Sequence, residues 1–349
     1  MKQVKIKDIC NKGSSSLKQK ELNQTGKYPV YGASGIAGFL DTFQQPNPYI
    51  GIVKDGSGIG RVDFYGAETS LIGTMQYILP KDGYNIRYIG YCLQSLDLSN
   101  YRQGAAIPHI YFRDYGERIV TITDDIAEQE RIVERLDAAF AEIDSLKANA
   151  EQQLKEGRAL FQAALTQAMT PKQGWQEKTL GDICDIIAGG DVPKPNFSKE
   201  RTNTYKVPIF SNGIVNDGLY GYTDIPRITK ESITISARGT IGFVSKRMEP
   251  FYPIIRLIVA TPKEKTDISF LRYCAMDKHF ESNGVAVPQL TVPMIKNAKI
   301  SMPPLVEQVV IAKYLDDLSD GIKELEEINR KTAAECDALK QAILRETFD

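Results

Sequence analysis

The chain has 349 residues, a formal net charge of -1 and five cysteines. A single hydrophobic core rarely organises so long a chain, so the length favours two or more folded units. No apolar run of about 18 residues and no apolar signal core occurs, which predicts a cytoplasmic protein without a membrane span. The cysteines are scattered and form no CxxC pair, which indicates reduced, buried thiols rather than a disulfide framework or a zinc site.

Charge alternates along the chain, although the total is near zero. Residues 1–123 carry 14 Lys/Arg against 10 Asp/Glu, residues 124–172 carry 6 against 10, residues 173–302 carry 17 against 13, and residues 303–349 carry 6 against 11. Two mildly basic segments therefore alternate with two acidic ones. A basic segment suits contact with phosphates, whereas an acidic one suits contact with protein.

The two basic segments share short sequence elements in the same order. Each opens with Asp-Ile-Cys, continues to a glycine-punctuated strand-turn-strand pattern, at 52–65 and 233–251, and then reaches a helix-like Tyr-Cys, at 91–92 and 273–274. Late in each segment Gly104-Ala105-Ala106-Ile107-Pro108-His109-Ile110 matches Gly284-Val285-Ala286-Val287-Pro288-Gln289-Leu290. The pattern predicts two strand-rich α+β domains of common origin.

Catalytic motifs are sparse in both domains. The glycines of residues 56–60 superficially suggest a dinucleotide-binding loop, but that chemistry needs a helix directly after them, and the next five residues favour a strand. The two histidines, His109 and His279, do not correspond between the domains, and no Walker A sequence or metal-ligand cluster occurs. The sequence therefore predicts no catalytic residue, no metal site and no cofactor bound by this chain.

The acidic segments are near-copies: residues 125–169 align with 304–348 at a constant offset of 179, and 13 of the 45 positions are identical. Apolar residues at steps of three and four predict two long helices with a heptad seam that pair with each other. Antiparallel pairing would give the domains approximate two-fold symmetry, parallel pairing would place them side by side, and two unrelated surface helices are the remaining alternative. The predicted seam, which also serves as a partner surface, comprises Ile132, Leu136, Ile143, Leu146, Leu160, Ile311, Leu315, Leu318, Ile322, Leu325, Leu339 and Ile343.

The duplicated order of domain and helix, with a Gly-x-Ala-x-Pro-x-[Ile/Leu] element late in each domain and Glu-Gln at the start of each helix, resembles the specificity subunit of type I restriction-modification systems. The resemblance implies target-recognition domains at 1–123 and 173–302, and antiparallel coiled-coil spacers at 124–172 and 303–349. It also implies three kinds of partner: double-stranded DNA, two methyltransferase subunits and restriction subunits. The partner subunits would supply the chemistry that uses S-adenosylmethionine, ATP and magnesium.

Side chains in loops beside the repeated glycines and prolines are the predicted DNA contacts, because arginine and amide side chains pair bidentately with base edges. They are Lys54, Ser57, Arg61, Arg102, Gln103 and His109 in the first domain, and Ser211, Asn212, Arg238, Thr240, Lys246 and Gln289 in the second. Arg61 has Phe243 as its counterpart, so a shared role there is doubtful. The competing hypothesis is a non-catalytic coiled-coil adaptor whose paired domains bind proteins, which near-zero net charge permits.

Overall fold

The computed structural model describes residues 1–104, 107–278, 280 and 289–348. The chain divides into two compact units: Met1–Glu151 together with Asn329–Asp349, and Gln152–Ile328. Each unit therefore contains one strand-rich domain and a part of each long helix.

The first domain consists of short strands and helices that precede the first long helix. In chain order they are β1 Lys2–Lys5, α1 Ile6–Ile9, β2 Cys10–Ser14, β3 Tyr28–Gly32, β4 Gly35–Leu40, β5 Tyr49–Val53, β6 Val62–Tyr65, β7 Ser70–Leu71, β8 Met75–Pro80, α2 Ile86–Ser95, α3 Phe112–Tyr115, β9 Ile119–Ile122 and the long helix α4 Ile126–Met169, with 3₁₀ turns at Gln19–Glu21 and Leu98–Tyr101. The second domain repeats this order, with β10 Gln176–Thr179, α5 Leu180–Ile183, β11 Cys184–Ala188, β12 Val207–Phe210, β13 Leu219–Thr223, β14 Ser232–Ser236, β15 Val244–Arg247, β16 Tyr252–Pro253, β17 Leu257–Pro262, α6 Ile268–Asp277, α7 Val292–Lys296, β18 Lys299–Met302 and the long helix α8 Leu305–Phe348, and a 3₁₀ turn at Val215–Gly218.

Sheet topology is the same in the two domains. Each has a four-stranded antiparallel sheet, in the orders β2-β8-β5-β6 and β11-β17-β14-β15, and a three-stranded sheet, in the orders β4-β3-β7 and β13-β12-β16. In each domain the first and last strands pair with each other, β1 with β9 and β10 with β18. The predicted α+β fold of two repeated domains is confirmed, and both predicted strand-turn-strand patterns are antiparallel hairpins.

The long helices take part in the domain cores. Ile132, Leu136 and Ile143 of α4 are buried with the first domain, as are Leu344 and Phe348 of α8. In the second unit Leu165 of α4 and Ile311 and Leu315 of α8 do the same. A helix face that is buried against both a domain and another helix gains most of its stability from that tertiary packing.

Within each unit the two long helices run antiparallel. In the first unit Asp144 pairs with Lys340 at 2.6 Å, and three residues further on Lys147 pairs with Asp337, three residues back, at 3.2 Å. In the second unit Arg158 pairs with Glu326 at 2.6 Å, while Lys172 pairs with Glu307 at 3.6 Å. Antiparallel pairing is thus observed, and the alternative of unrelated surface helices is wrong.

The heptad seam is only partly correct. Leu146, Leu160 and Leu339 are 58%, 65% and 49% exposed, whereas the other predicted seam residues are buried or half-buried. The seven-residue spacing itself is retained, because every member of two rows is buried or half-buried: Leu136, Ile143, Ala150, Gly157 and Ala164 in α4, and Leu315, Ile322, Asn329, Cys336 and Ile343 in α8. The second row of α4 lies one residue later than predicted, at Phe140, Lys147, Leu154 and Phe161, so Leu146 and Leu160 fall outside it.

All five cysteines are buried and free of disulfides. Burial raises the pKa of Cys10, Cys92 and Cys184 to about 12, so these thiols stay protonated at neutral pH. Across residues 1–104, 107–278, 280 and 289–348, no His, Cys, Asp and Glu side chains cluster closely enough to hold a metal ion. No helix in the same part of the chain is long and apolar enough to cross a lipid bilayer.

Candidate nucleic-acid interface

The hairpin loop between β5 and β6 is shaped by three glycines with left-handed backbone. Gly56, Gly58 and Gly60 have φ of 82°, 80° and 85°, which only glycine adopts without strain. At Gly60 a Cβ atom would also lie 2.7 Å from the backbone nitrogen of Ser99. Strand β6 begins two residues later, so these glycines form a hairpin turn and not the phosphate loop of a dinucleotide site.

The segment after Tyr101 adds a second layer to this loop. The backbone nitrogen of Gly56 donates to Pro108 at 3.0 Å, and that of Ile110 donates to Lys54 at 2.9 Å. Gln103 and His109 exchange two backbone hydrogen bonds of 2.8 Å each. The structure therefore brings Lys54, Gln103 and His109 to one surface. Ser57 and Arg102 are exposed residues of the same two segments.

Carboxylates orient the polar side chains of this surface. Asp55 Oδ1 lies 2.7 Å from His109 Nδ1, and Asp55 Oδ2 lies 3.4 Å from Lys54 Nζ. Gln103 Nε2 donates to Asp114 Oδ2 at 2.8 Å. Such contacts reduce the rotamer freedom that a side chain must lose when it binds a ligand.

Arg61 connects two hairpins of the first domain. Its Nε donates to Asp63 at 2.9 Å, and its Nη2 donates to the carbonyl of Ala33, in the turn between β3 and β4. Its side chain is about half exposed. Arg61 therefore fixes the position of a loop as well as carrying a charge near it.

The sequence prediction missed Tyr111 and Arg113. The ring of Tyr111 is 42% exposed and lies parallel to His109, with 6.3 Å between centroids, while Arg113 Cζ lies 4.6 Å from the centroid of Tyr111. A cation, an exposed phenol ring and an imidazole are thus arranged in series beside the glycine loop. The sequence signal for them is Tyr111-Phe112-Arg113, directly after Pro108-His109-Ile110. The second domain has Thr291-Val292-Pro293 at this place, so the duplicated pattern does not indicate these residues.

The second domain builds the same loop with other side chains. Ser236 and Phe243 pair through the backbone as Val53 and Arg61 do, and Gly239 and Gly242 have φ of 74° and 79°. This register confirms Phe243 as the counterpart of Arg61. The backbone nitrogen of Leu290 donates to Ala237 at 2.8 Å, as that of Ile110 does to Lys54. Gln289 is therefore held beside this loop, whereas residues 281–288, with most of the Gly-x-Ala-x-Pro element, lie outside the described residues, as do Ala105, Ala106 and His279.

Three more predicted side chains of the second domain lie at this loop. Asn212 Nδ2 donates to the carbonyl of Arg238 at 2.7 Å, which ties the segment after β12 to the glycine loop. Ser211 is the neighbour of Asn212 and donates through its backbone to Gly218 at 2.8 Å. The hydroxyl of Thr240 is buried and has no hydrogen-bond partner in the described part of the chain.

Lys246 is the one predicted contact that the structure places elsewhere. Its Nζ lies 3.0 Å from Ser269 Oγ on α6 and 3.3 Å from Asp316 Oδ2 on α8. Residues alternate between the faces of a strand, and Lys246 belongs to the face of β15 that meets the helices. Lys246 therefore lies at the contact between the domain and its helix, away from the glycine loop where the other predicted DNA contacts lie.

The adjacent Arg247 is a third residue that sequence reasoning missed. It is only 6% exposed, donates to the carbonyl of Asp217 at 2.6 Å and stacks on Phe210, with 3.6 Å from Cζ to the ring centroid. Burial lowers the pKa of Arg247 to about 10. Asp217 lies in a left-handed turn, so Arg247 stabilises the turn in which Val215 is 82% exposed.

A family model described as type I restriction modification DNA specificity domain matches residues 1–156 and 172–335. The chain belongs to this family. A Mycoplasma pneumoniae protein named as a type I specificity subunit is 30% identical over 323 residues, which cover 90% of this chain and 88% of that protein. The EcoprrI specificity subunit of Escherichia coli is 25% identical over 220 residues, which cover 62% of this chain and 53% of that subunit.

Solved structures of the family share the fold. A chain from work on complex assembly and conformational transition of the type I R-M system superposes with a TM-score of 0.76 at 18% identity, covering 98% of this chain and 96% of its own. The HsdS subunit from Thermoanaerobacter tengcongensis gives a TM-score of 0.54 at 18% identity, covering 98% and 95%. The resemblance inferred from the duplicated motifs is therefore confirmed for both family and fold.

Proposed function

We propose that this protein is the DNA-reading specificity subunit of a type I restriction-modification complex, and that each domain reads one half of a bipartite target. The observation that carries the proposal is the repeated glycine hairpin with its second backbone layer. Three backbone hydrogen bonds recur among the described residues: Val53–Arg61, Gly60–Val53 and Ile110–Lys54 match Ser236–Phe243, Gly242–Ser236 and Leu290–Ala237. The side chains differ, with Lys54, Asp55 and His109 in one domain and Ala237, Arg238 and Gln289 in the other. Two equal frames with different side chains suit two different half-sites.

In this proposal the chain itself is non-catalytic. Two methyltransferase subunits dock on the long helices and use S-adenosylmethionine, and restriction subunits that join the complex use ATP and magnesium. The exposed leucines of the long helices, Leu146, Leu160 and Leu339, support helix surfaces that meet protein, because exposed large apolar side chains commonly mark an interface. The helices also set the separation between the half-sites.

Sequencing of methylated motifs tests the proposal. The host expresses this chain with its co-encoded methyltransferase, either as wild type or with residues 1–123 replaced by the corresponding domain of a relative. We expect a bipartite motif, of which the replacement changes one half only. A continuous motif, or a change in both halves, would contradict the assignment of one half-site to each domain.

The adaptor hypothesis makes a different prediction for the same complex. Affinity of a DNA reader for random duplex falls steeply as salt rises, because phosphate contacts release counterions. The affinity for a fluorescent duplex is measured at salt concentrations between about 50 and about 200 mM, the range over which phosphate contacts weaken strongly. A DNA reader should show this fall in affinity. An adaptor that binds only protein would show no binding of duplex at either salt concentration.

A further inference from the structure

Two polar residues of the long helices are repeated and buried against the domains. Gln129 and Gln308, at the offset of 179, are 0% and 4% exposed. Gln129 Oε1 accepts from the backbone nitrogen of Asn85 at 2.7 Å, and Gln308 Oε1 accepts from that of Asp267 at 3.1 Å. Asn85 and Asp267 are the N-cap residues of α2 and α6. In both units the same amide thus holds the same end of the domain's helix.

About two helical turns further along each long helix, a repeated aspartate makes a second contact with the domain. Asp137 accepts from the hydroxyl of Tyr91 and from Arg87 Nη2, both on α2. Asp316 accepts from the hydroxyl of Tyr273 at 2.7 Å and from Ser269 Oγ at 2.8 Å, both on α6. Burial, followed by the hydrogen bond to Asp137, raises the pKa of Tyr91 to about 12, so its hydroxyl remains a donor at neutral pH.

The cation nearest this carboxylate comes from a different element in each unit. In the first it is Arg87 of α2, which also packs on the ring of Phe64, 5.0 Å from Cζ to centroid. In the second it is Lys246 of β15, 3.3 Å from Asp316, while Ser269 occupies the helix position of Arg87 and Arg272 of α6 lies farther from Asp316, at 3.8 Å. Arg87 and Ser269 are each two residues beyond the N-cap of their helix.

Strand register makes Phe64 and Lys246 equivalent. Phe64 pairs with Ile50 of β5, and Lys246 pairs with Ile233 of β14, in the same place of the two four-stranded sheets. One unit therefore combines Phe on the strand with Arg on the helix, and the other combines Lys on the strand with Ser on the helix. Both combinations place a cation next to the repeated carboxylate, although the residue types at both positions changed, and in the second unit Arg272 of α6 adds a second one.

Apolar packing alone tolerates small sliding and rotation, because it is non-directional, whereas hydrogen bonds to a buried amide and to a carboxylate specify one arrangement. Beside this contact in the first unit, Arg61 and Asp63 of the domain and Asp144 and Lys340 of the helices line an open cleft of about 1290 Å³. The domain is therefore not packed against the helices throughout, and the polar contacts carry much of its orientation.

We propose that Gln129 with Asp137, and Gln308 with Asp316, are positioning residues that lock each recognition domain in one orientation on its helix and thereby fix the spacer length accepted between the half-sites. The inference rests on the proposed bipartite recognition. A spacer change of one base pair moves a half-site by about 3.4 Å and roughly a tenth of a turn, so even a modest rotation at the lock alters which spacer fits.

The test uses the full chain in complex with its methyltransferase, and measures methylation of duplexes with the native spacer and with spacers one base pair shorter or longer. Arg87→Ser leaves Asp137 without its cation, and we expect the preference for the native spacer to fall about tenfold, equivalent to about 1.4 kcal/mol. Arg87→Ser with Phe64→Lys installs the second unit's pair and should restore the preference. Asp144→Asn, which breaks only a contact between the helices, is the matched control and should retain it.

The outcomes separate the lock from a general structural role. Lower thermal stability of Arg87→Ser with an unchanged spacer preference would overturn the inference, and so would a folded double variant that is not rescued. If Arg87→Ser fails to assemble, Asp316→Asn in the second unit, which removes the carboxylate shared by Lys246 and Arg272, gives the same measurement: a relaxed spacer supports the lock, and an unchanged one contradicts it. A wild-type complex without any fixed spacer would instead overturn the proposed bipartite recognition itself.

Discussion

The two domains differ most at their glycine hairpins and least where they meet the long helices. At the hairpins the backbone pattern is common, but His109 with Asp55 in one domain stands against Gln289 with Arg238 in the other. At the helices Gln129 and Gln308, and Asp137 and Asp316, make matching contacts. The hydrogen bonds that attach each domain to its helix are therefore the same in the two units, whereas the side chains of the exposed hairpin loops differ. The two ends of each domain meet different requirements.

The largest expected effect concerns the repeated leucines of the long helices. Leu165 and the aligned Leu344 are 1% and 2% exposed, so Leu165→Ala and Leu344→Ala should each lower the free energy of unfolding by about 2–5 kcal/mol through cavity formation. Leu160→Ala and Leu339→Ala, five residues earlier on each helix, should each change it by less than about 0.5 kcal/mol. Denaturant unfolding of the four variants checks this. A large loss of stability in Leu160→Ala would show that Leu160 belongs to the buried seam.

Two equivalent hairpin glycines, one in each domain, should respond differently to the same substitution. Gly60 and Gly242 occupy the same hairpin position with φ of 85° and 79°, but a Cβ at Gly60 meets Ser99 whereas one at Gly242 meets nothing within 4 Å. Gly242→Ala should cost about 1–2 kcal/mol from backbone strain, and Gly60→Ala more, with weaker recognition of the first half-site. Thermal unfolding and methylation of both half-sites measure this. Equal effects at the two positions would show that the contact with Ser99 relaxes at no cost.

The smallest expected effect is a pH dependence at Asp316. Burial raises its pKa, but hydrogen bonds from Tyr273 and Ser269 and the nearby Lys246 outweigh this and hold the pKa below its ordinary value of 3.8. A lowered carboxylate pKa stabilises the fold above the unfolded value, and this contribution disappears as pH falls through the folded one. The stability gap between wild type and Asp316→Asn should therefore be constant near neutral pH and close below about pH 3.8. A gap that widens on acidification would contradict the assigned contacts.

Asp320→Asn is the matched control for that measurement. Asp320 lies on the same helix, is 72% exposed and pairs with Lys323 one turn away. An exposed pair of this kind contributes little, so its variant should differ from wild type by less than about 1 kcal/mol at every pH tested.

Much of the architecture could be predicted from the sequence, because internal duplication and glycine spacing are local signals. The hairpins, the short helices with Tyr91 and Tyr273, and both long helices follow from such signals. The register of the second row in α4 did not, because Leu146 and Leu160 satisfy a heptad pattern as well as Phe140, Leu154 and Phe161 do. Lys246 was assigned to DNA because a lysine after a glycine hairpin gives no indication of which strand face meets a helix. The buried amides were visible only as identities, since their partners lie about 40 residues away in the chain.

The transposed cation has a consequence for how such a chain is assembled. Every group that the domain contributes to the lock, namely the N-cap amide, the tyrosine and the cation, lies within the domain, while the glutamine and the aspartate lie on the helix. Both long helices therefore offer the same two acceptors, a glutamine and an aspartate, to the domain that packs on them. Because each domain brings its own cation to the contact, we expect a domain to fit either helix and the order of the two recognition domains along the chain to be exchangeable.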